Sequence, residues 1–523
     1  MTRLRLYVRA LRALWRAGLL RMWPWLAFRI WLAWRRCRGS LAFLAEVAAL
    51  RAGSRVALVD DDGPLSFAEL HARTQGLARE LIERHAAGPG RQIAIIGRNH
   101  RSGIVALLAA ARTGADVLLL NPDSLPSVLA KLLASPAEPL ADERRNDEAP
   151  STIVLHAPEL DAAAFAPDAP RFALRPDVGV GAAPAPLPRL IRPGRVCILT
   201  AGSTGLPKRI GRTPTIANLL PILLGLLDAL PITMHRATVL AVPFFHGHGL
   251  ATLATALAFA APIHLARRHE IAPLLARSTF ASPPVVVSVP TLLARWLAAG
   301  PLKQPVAAVL TGSAPLDPQL CRGLFAALGP VVYNLYGSSE AGVVSLATPP
   351  MLAAAPGTVG QPLPGTEIRL LDAEGRPSTA GQVGRIQVRG PLVCRPDAAG
   401  WLDTGDLGVF DQAGRLHVRG RSDGMFVSGG ENVYPHQVEA CLLEHPGVAE
   451  AAIVVVTDAE FGARMRAFVV ARSGAPPTNE ALRTWLRERL DRHQQPRTIE
   501  LVEALPRNPL GKIDRHALQQ RPE

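Results

Sequence analysis

The chain has 523 residues, 48% apolar and 19% charged, a balance that excludes a disordered chain and allows a large core in more than one domain. Its five cysteines (Cys37, Cys197, Cys321, Cys394 and Cys441) are odd in number and scattered, which excludes a disulfide framework and argues for a reducing compartment. The net charge of +14 does not imply nucleic acid, because residues 1–38 hold ten arginines and no acidic residue, leaving +4 for the remaining 485 residues.

The first segment, MTRLRLYVRALRALWRAGLLRMW, has helical periodicity. Arg5, Arg9, Arg12 and Arg16 share one side, and Leu4, Tyr7, Val8, Leu11, Leu14 and Trp15 the other. Pro24 is expected to break or kink this helix, and WLAFRIWLAWRRCR continues with more Trp and Arg. Arginine interrupts the apolar run too often for a span of about 20 residues. No small-residue cleavage site follows, as a signal peptide would need. Two readings stay open for residues 1–44: an interfacial helix on anionic lipid, or a helix packed on the protein's own surface.

From Val56 the pattern alternates between strand and helix. QIAIIG reads as a buried strand, 102–112 as a helix and ADVLLLNP as the next strand. VCILTAG, TVLAVPFF, PVVVSVP and VAAVLTG repeat the theme, which predicts α/β layers with largely parallel sheets. The Pro- and Ala-rich stretch 135–189 is expected to be peripheral and loose. After Gly357 short strands and tight turns predict a small β-rich unit. Beyond Asp423 about 100 residues alternate again and predict a small α+β domain behind a hinge. The expected fold is α/β, with a leader (1–44), a large N-terminal domain (45–422) and a small mobile C-terminal domain (423–523).

Lysine is rare, with only Lys131, Lys208, Lys303 and Lys512 among 57 basic residues. One of them closes LTAGSTGLPK, which follows the apolar run VCIL. Glycines let a backbone turn present N–H groups to an anion. Thr200, Ser203 and Thr204 add hydroxyls and Lys208 a charge, a composition suited to a polyphosphate. The spacing is not that of G-x-x-x-x-G-K-[ST].

Further motifs follow in a fixed order: VPFFHGHGL, TGSAPL, YNLYGSSEAG, GWLDTGD, GRSDGMFVSGGENVYP and PRNPLGKIDR. Together they resemble the adenylate-forming superfamily of acyl-CoA synthetases, luciferases and peptide-synthetase adenylation domains, over roughly residues 45–520. The resemblance implies two half-reactions. A carboxylate attacks the α-phosphate of ATP to give acyl-AMP and pyrophosphate, and the thiol of coenzyme A then displaces AMP. The first step brings two anions together, so positioning and electrostatic stabilisation should dominate.

Residue roles follow from the same resemblance. Thr200, Ser203, Thr204, Gly205 and Lys208 would hold the β- and γ-phosphates, and Glu340 would ligate Mg2+. Gly312, Ser313, Ala314, Asn334, Tyr336, Gly337 and Ser339 would form the adenine side, with Tyr336 stacked on the base and Asn334 at its amino edge. Asp406 and Arg421 would hold the ribose. Lys512 would reach the acyl carboxylate and α-phosphate as a point donor that guanidinium does not imitate. Asp423 would be the hinge, and Ser428, Gly429 and Gly430 would line the coenzyme A tunnel. His246 would sit by the acyl carboxylate; His246 and His248 lack a third ligand for a metal. Four departures from the family pattern are Ala201, Arg209 in place of a usual Gly, Gly424 in place of an acid, and a short 390–400 loop.

Apolar stretches before the Tyr336 loop favour a fatty or other apolar acid. The expected protein is a fatty-acyl-CoA synthetase using ATP, Mg2+ and coenzyme A, cytoplasmic, with peripheral membrane contact through residues 1–38 and no nucleic-acid partner. The alternatives are a fatty-acyl-AMP ligase serving a carrier protein, an aryl- or short-chain-acid ligase, and a non-catalytic membrane scaffold.

Overall fold

The computed structural model describes all residues except 1–23, 135–151, 182–186, 201–207, 213–215, 234, 277, 301–303, 373, 422–423, 459, 473–475, 507–512 and 523. Two large sheets organise the N-terminal part. A nine-stranded sheet has at its centre six parallel strands, in the order Val332–Ser338, Ala308–Gly312, Val285–Ser288, Thr238–Leu240, Ile263–Leu265 and Val56–Asp60. Antiparallel strands close it on both sides. A six-stranded sheet runs Arg171–Ala173, Thr152–His156, Gln92–Ile96, Asp116–Leu120, Val196–Thr200 and Lys208–Arg212, the last antiparallel.

The central strands are fully buried runs such as QIAII and AVLTG, as expected where helices cover both faces of a parallel sheet. The helix Arg101–Thr113 is buried all round, and its apolar residues join one core with both sheets. Gly114 ends it in the left-handed region, with φ 84°.

One expectation fails here. The stretch 135–189 is not wholly peripheral, because Thr152–His156 lies inside the six-stranded sheet with Ile153, Val154 and Leu155 buried. Its apolar run is only a few residues long and stands amid Pro-, Ala- and charge-rich sequence, which hid it.

The leader boundary also cuts a structural element. The helix Leu41–Ala52 spans the 44/45 boundary and packs into the main core against Phe67–His85 and Gly247–Phe259. Within the described residues the next helix is Pro24–Cys37, and the expected break or kink at Pro24 depends on residues outside them. The helix expected before it lies outside the described residues.

The β-rich unit is a four-stranded antiparallel sheet of Glu367–Leu371, Gly384–Arg389, Leu402–Phe410 and Leu416–Arg421. The C-terminal part has its own core around a three-stranded sheet of Val448–Asp458, Gly462–Ala471 and Thr498–Leu501, covered by helices Pro435–Leu443 and Asn479–Arg487. A hairpin, Phe426–Ser428 with Glu431–Val433, precedes it.

Candidate active site

A cavity of about 2440 Å³ lies between the large lobe and the C-terminal lobe. In parallel α/β sheets the carboxyl ends of the strands are where ligands are held. Here Ala308–Gly312 and Val332–Ser338 run side by side, with Gly312 opposite Leu335. Ser313 and Ala314 follow the first strand and line the cavity, as do Asn334, Tyr336 and Gly337 of the second. A Cβ on Gly312 would come within 2.6 Å of the Leu335 carbonyl oxygen, so only glycine lets these strands close up. At Gly337 the same Cβ would lie 2.1 Å from the Gly342 carbonyl oxygen.

The four-stranded sheet meets this edge with a polar triad. Asp406 and Arg421 are register partners, and Arg421 Nη1 donates to Asp406 Oδ1 at 3.1 Å. The Tyr336 hydroxyl donates to Asp406 Oδ2 at 2.5 Å and lies 3.3 Å from Thr404 Oγ1. Burial, then the neighbouring Asp406 charge, push the phenol well above its ordinary value, so it stays a neutral donor. Thr404, which also bonds the Ile386 carbonyl, was not singled out in the sequence. The buried Asn334 amide donates to the Thr358 carbonyl at 3.0 Å, which fixes its orientation.

Glu340 lines the same cavity beside Ser339. Its backbone carbonyl takes the Cys394 N–H at 2.8 Å. Among the described residues no hydrogen bond or ion pair occupies its carboxylate, a hard oxygen donor of the kind that fits a Mg2+ ion. Among the described residues one cluster has metal-ligand character, Asp60, Asp62 and His100. The Arg101 guanidinium already fills it, with Nε 2.9 Å from Asp60 Oδ1.

Of the phosphate loop, Ser203, Thr204 and Gly205 lie outside the described residues. Thr200 and Lys208 flank it as paired positions on adjacent antiparallel strands. The replacement at 209 has a structural role: the buried Arg209 guanidinium bonds the Leu132 carbonyl and anchors the loop exit to the helix Pro126–Ala134. Lys512 and Asp423 lie outside the described residues. Gly424, in place of an acid, has φ +72°, where L side chains are strained.

The C-terminal lobe closes the cavity through its hairpin. Gly429 and Gly430 form a two-residue turn with φ +60° and +95°, which accounts for both glycines by turn chemistry. Both line the cavity, whereas Ser428 is buried behind them. A Cβ on Gly430 would sit 3.7 Å from Val289, an ordinary contact, so space is not what demands glycine there. The next residue supplies the lobe-to-lobe contact that the sequence did not suggest: Glu431 Oε1 lies 3.1 Å from His246 Nε2. Burial alone would raise the Glu431 carboxyl, but the His246 charge and hydrogen bond outweigh it and bring it down to about 2. His246 responds oppositely. Burial would lower it, and Glu431 holds it above its ordinary value. His248, without such a partner, is pushed down to about 4 by burial and is neutral. Asp491 Oδ1 adds a second lobe contact, accepting from the Leu125 N–H at 3.0 Å.

Comparison with known proteins matches this architecture. The AMP-binding enzyme model covers residues 45–396 and the AMP-binding enzyme C-terminal domain covers 437–512. The chain belongs to the AMP-binding enzyme family, the adenylate-forming superfamily. A feruloyl-CoA synthase of Amycolatopsis sp is 32% identical over 486 residues, 86% of this chain and 92% of that protein. A 2-succinylbenzoate–CoA ligase of Bacillus velezensis is 29% identical over 484 residues, 89% of this chain and 95% of the relative. Among solved structures, a double mutant of o-succinylbenzoate CoA synthetase from Bacillus subtilis bound with its product analogue OSB-NCoA has a TM-score of 0.78 at 26% identity, covering 91% of this chain and 98% of that one. The same enzyme in complex with its acyl-adenylate intermediate gives 0.64. The chain is an AMP-forming acid–thiol ligase, with the two-lobed fold of its adenylate-forming relatives.

Proposed function

We propose that this AMP-binding enzyme is a fatty-acyl-CoA synthetase, which activates an apolar carboxylic acid as acyl-AMP and transfers the acyl group to coenzyme A. The observation that carries the reading is the cavity wall beside the helix Gly247–Phe259. It is apolar from Leu226, Leu230 and Ile232 to Leu250, Ala251 and Ala254, and its His248 is neutral. Such a wall rewards burial of hydrocarbon, at about 0.8 kcal/mol per methylene.

Adenylation needs two anions held in line. Lys208, Thr200, Ser203, Thr204 and the Gly205 amide bind the outer phosphates, and Lys512 reaches the α-phosphate and the acyl carboxylate. Glu340 holds Mg2+, which when bound offsets phosphate charge. Tyr336 stacks on adenine while its hydroxyl ties Asp406 in place for the ribose. Asn334, whose amide nitrogen is committed to Thr358, presents its oxygen to the adenine amino group.

Thioester formation uses the other lobe position. Rotation at Asp423 withdraws the Lys512 loop and brings in the 429–430 turn, past which the thiol enters. The Glu431–His246 contact supports the assignment of the present lobe arrangement to this step. The higher TM-score against a complex with a CoA-product analogue supports it too.

Acid-dependent ATP–pyrophosphate exchange tests the reading, over acids from acetate to stearate plus benzoate and ferulate, repeated with coenzyme A. Medium or long aliphatic acids are expected to give the fastest exchange and a thioester. Exchange without thioester would instead favour transfer to a carrier protein. Preference for ferulate or benzoate would favour an aryl-CoA ligase, a second reading supported by the feruloyl and succinylbenzoate relatives.

A further inference from the structure

The helix Pro24–Cys37 precedes the residues matched by the family model and presents two unlike sides. At 100° per residue, Leu26, Ile30, Ala33 and Cys37 form a narrow stripe. Ala33 and Cys37 are fully buried, and with Ile30 they join Phe43 and Val47 in a small core. Three bonds lock this side to the body. Arg36 Nε donates to the buried Glu46 at 3.1 Å, Cys37 Sγ lies 3.2 Å from the same carboxylate, and the Leu190 N–H donates to the Arg36 carbonyl at 2.9 Å. The helix is therefore fixed in orientation.

Its opposite side carries large aromatic residues facing outward. Trp25 is 55% exposed, Phe28 58%, Trp31 46% and Trp34 42%. Beside them stand Arg29 and Arg35 of the helix and Arg38 just past its end, each with its guanidinium over a tryptophan ring, at 5.9, 4.9 and 6.0 Å respectively. No acidic residue occurs in residues 1–38. A soluble surface rarely leaves four such side chains together without a partner.

We infer that this face docks on an anionic lipid bilayer, the tryptophans entering the headgroup boundary and the arginines pairing with lipid phosphates and carboxylates. Charge complementarity selects this occupant. A twofold contact with a second copy would set the same three arginines against one another, whereas an anionic bilayer neutralises them. The location adds a consequence that rests on the fatty-acid reading. Leu41, just beyond this helix, lines the cavity, and its own helix packs on Gly247–Phe259, with Arg51 Nη1 2.9 Å from the Ala258 carbonyl. Docking would thus bring the apolar end of the cavity beside the bilayer in which a fatty acid partitions.

The test is co-sedimentation of the full chain with phosphatidylcholine vesicles, with or without phosphatidylserine, alongside tryptophan fluorescence. The wild type is expected to pellet with the anionic vesicles, with a blue-shifted emission, and to be released by salt. Replacing Arg29, Arg35 and Arg38 by Gln should weaken binding about a hundredfold. Trp25, Phe28, Trp31 and Trp34 changed to Ser should abolish the blue shift, while pyrophosphate exchange on a detergent-dispersed acid stays unchanged, showing an intact fold. Equal pelleting of all three proteins would overturn the inference. So would a wild type left in the supernatant, RNA capture in place of vesicle capture, or a dimer that the aromatic variant loses without any vesicle binding. Pelleting is read without turnover, so failure of the fatty-acid reading would leave it standing.

Discussion

Replacing Glu431 by Gln should separate the two half-reactions. The carboxyl falls from 4.5 to about 2 in the folded chain, with His246 the stabilising partner. At about 1.4 kcal/mol per tenfold change in proton affinity, that corresponds to about 3 kcal/mol. Both side chains are roughly a third open to the cavity, at 33% for His246 and 31% for Glu431, so water screens the pair and about 1–2 kcal/mol is the expected share. Because the contact bridges the lobes, its loss should fall on the lobe arrangement that carries the thiol step. Single-turnover thioester formation from acyl-AMP should slow about five- to thirtyfold in Glu431→Gln, with pyrophosphate exchange unchanged. The pH dependence follows from the directions of the two shifts. The lowered carboxyl contributes fully above 4.5 and loses its contribution as pH falls towards 2. The raised imidazole contributes fully below 6.5 and loses its contribution as pH rises through its folded value. The difference between wild type and Glu431→Gln should therefore be largest between pH 4.5 and 6.5 and shrink on the alkaline side. Equal slowing of both half-reactions, or a difference that stays flat into alkaline pH, would refute this reasoning.

Three other outcomes are expected. Tyr336→Phe keeps the ring but strips the Asp406 hydrogen bond, which should raise the KM for ATP about tenfold with little change in kcat, measured by steady-state kinetics. Gly430→Ala places a side chain at φ +95° without a clash and should destabilise the hairpin by about 1–2 kcal/mol, slowing thioester formation but not exchange. Lys512→Ala should lower pyrophosphate exchange at least about a hundredfold, yet leave transfer from preformed acyl-AMP to coenzyme A nearly intact.

That Ser313, Asn334, Tyr336, Glu340 and Asp406 would share one cavity was legible in the sequence, because their motifs are local. A strand end followed by Gly, Ser or Thr is a local signal for a ligand-facing edge, and AVLTG is such an end, with Ser313 and Ala314 lining the cavity beyond it. The pairing of Asp406 with Arg421 also needs only a strand, a turn and the next strand. The Glu431–His246 contact was not readable, since 185 positions separate the two and the lobe arrangement decides whether they meet. Thr404 escaped for a similar reason. Its hydroxyl looks like any strand threonine until the sheet edge brings Tyr336 beside it. The strand Thr152–His156 was hidden because its buried state depends on neighbours on both sides, not on its own short pattern.

The strand Val56–Asp60 takes its parallel partner, Ile263–Leu265, from some two hundred residues further along, with Leu58 opposite Ile263. Ribosomal synthesis at about 5–20 residues per second leaves that strand without its partner for roughly 10–40 s. During this interval an apolar edge stands open to unrelated chains or a chaperone. Nascent fragments that stop before Leu265 should be the aggregating species, and slower translation over that interval, which lengthens the exposure, should lower the soluble yield.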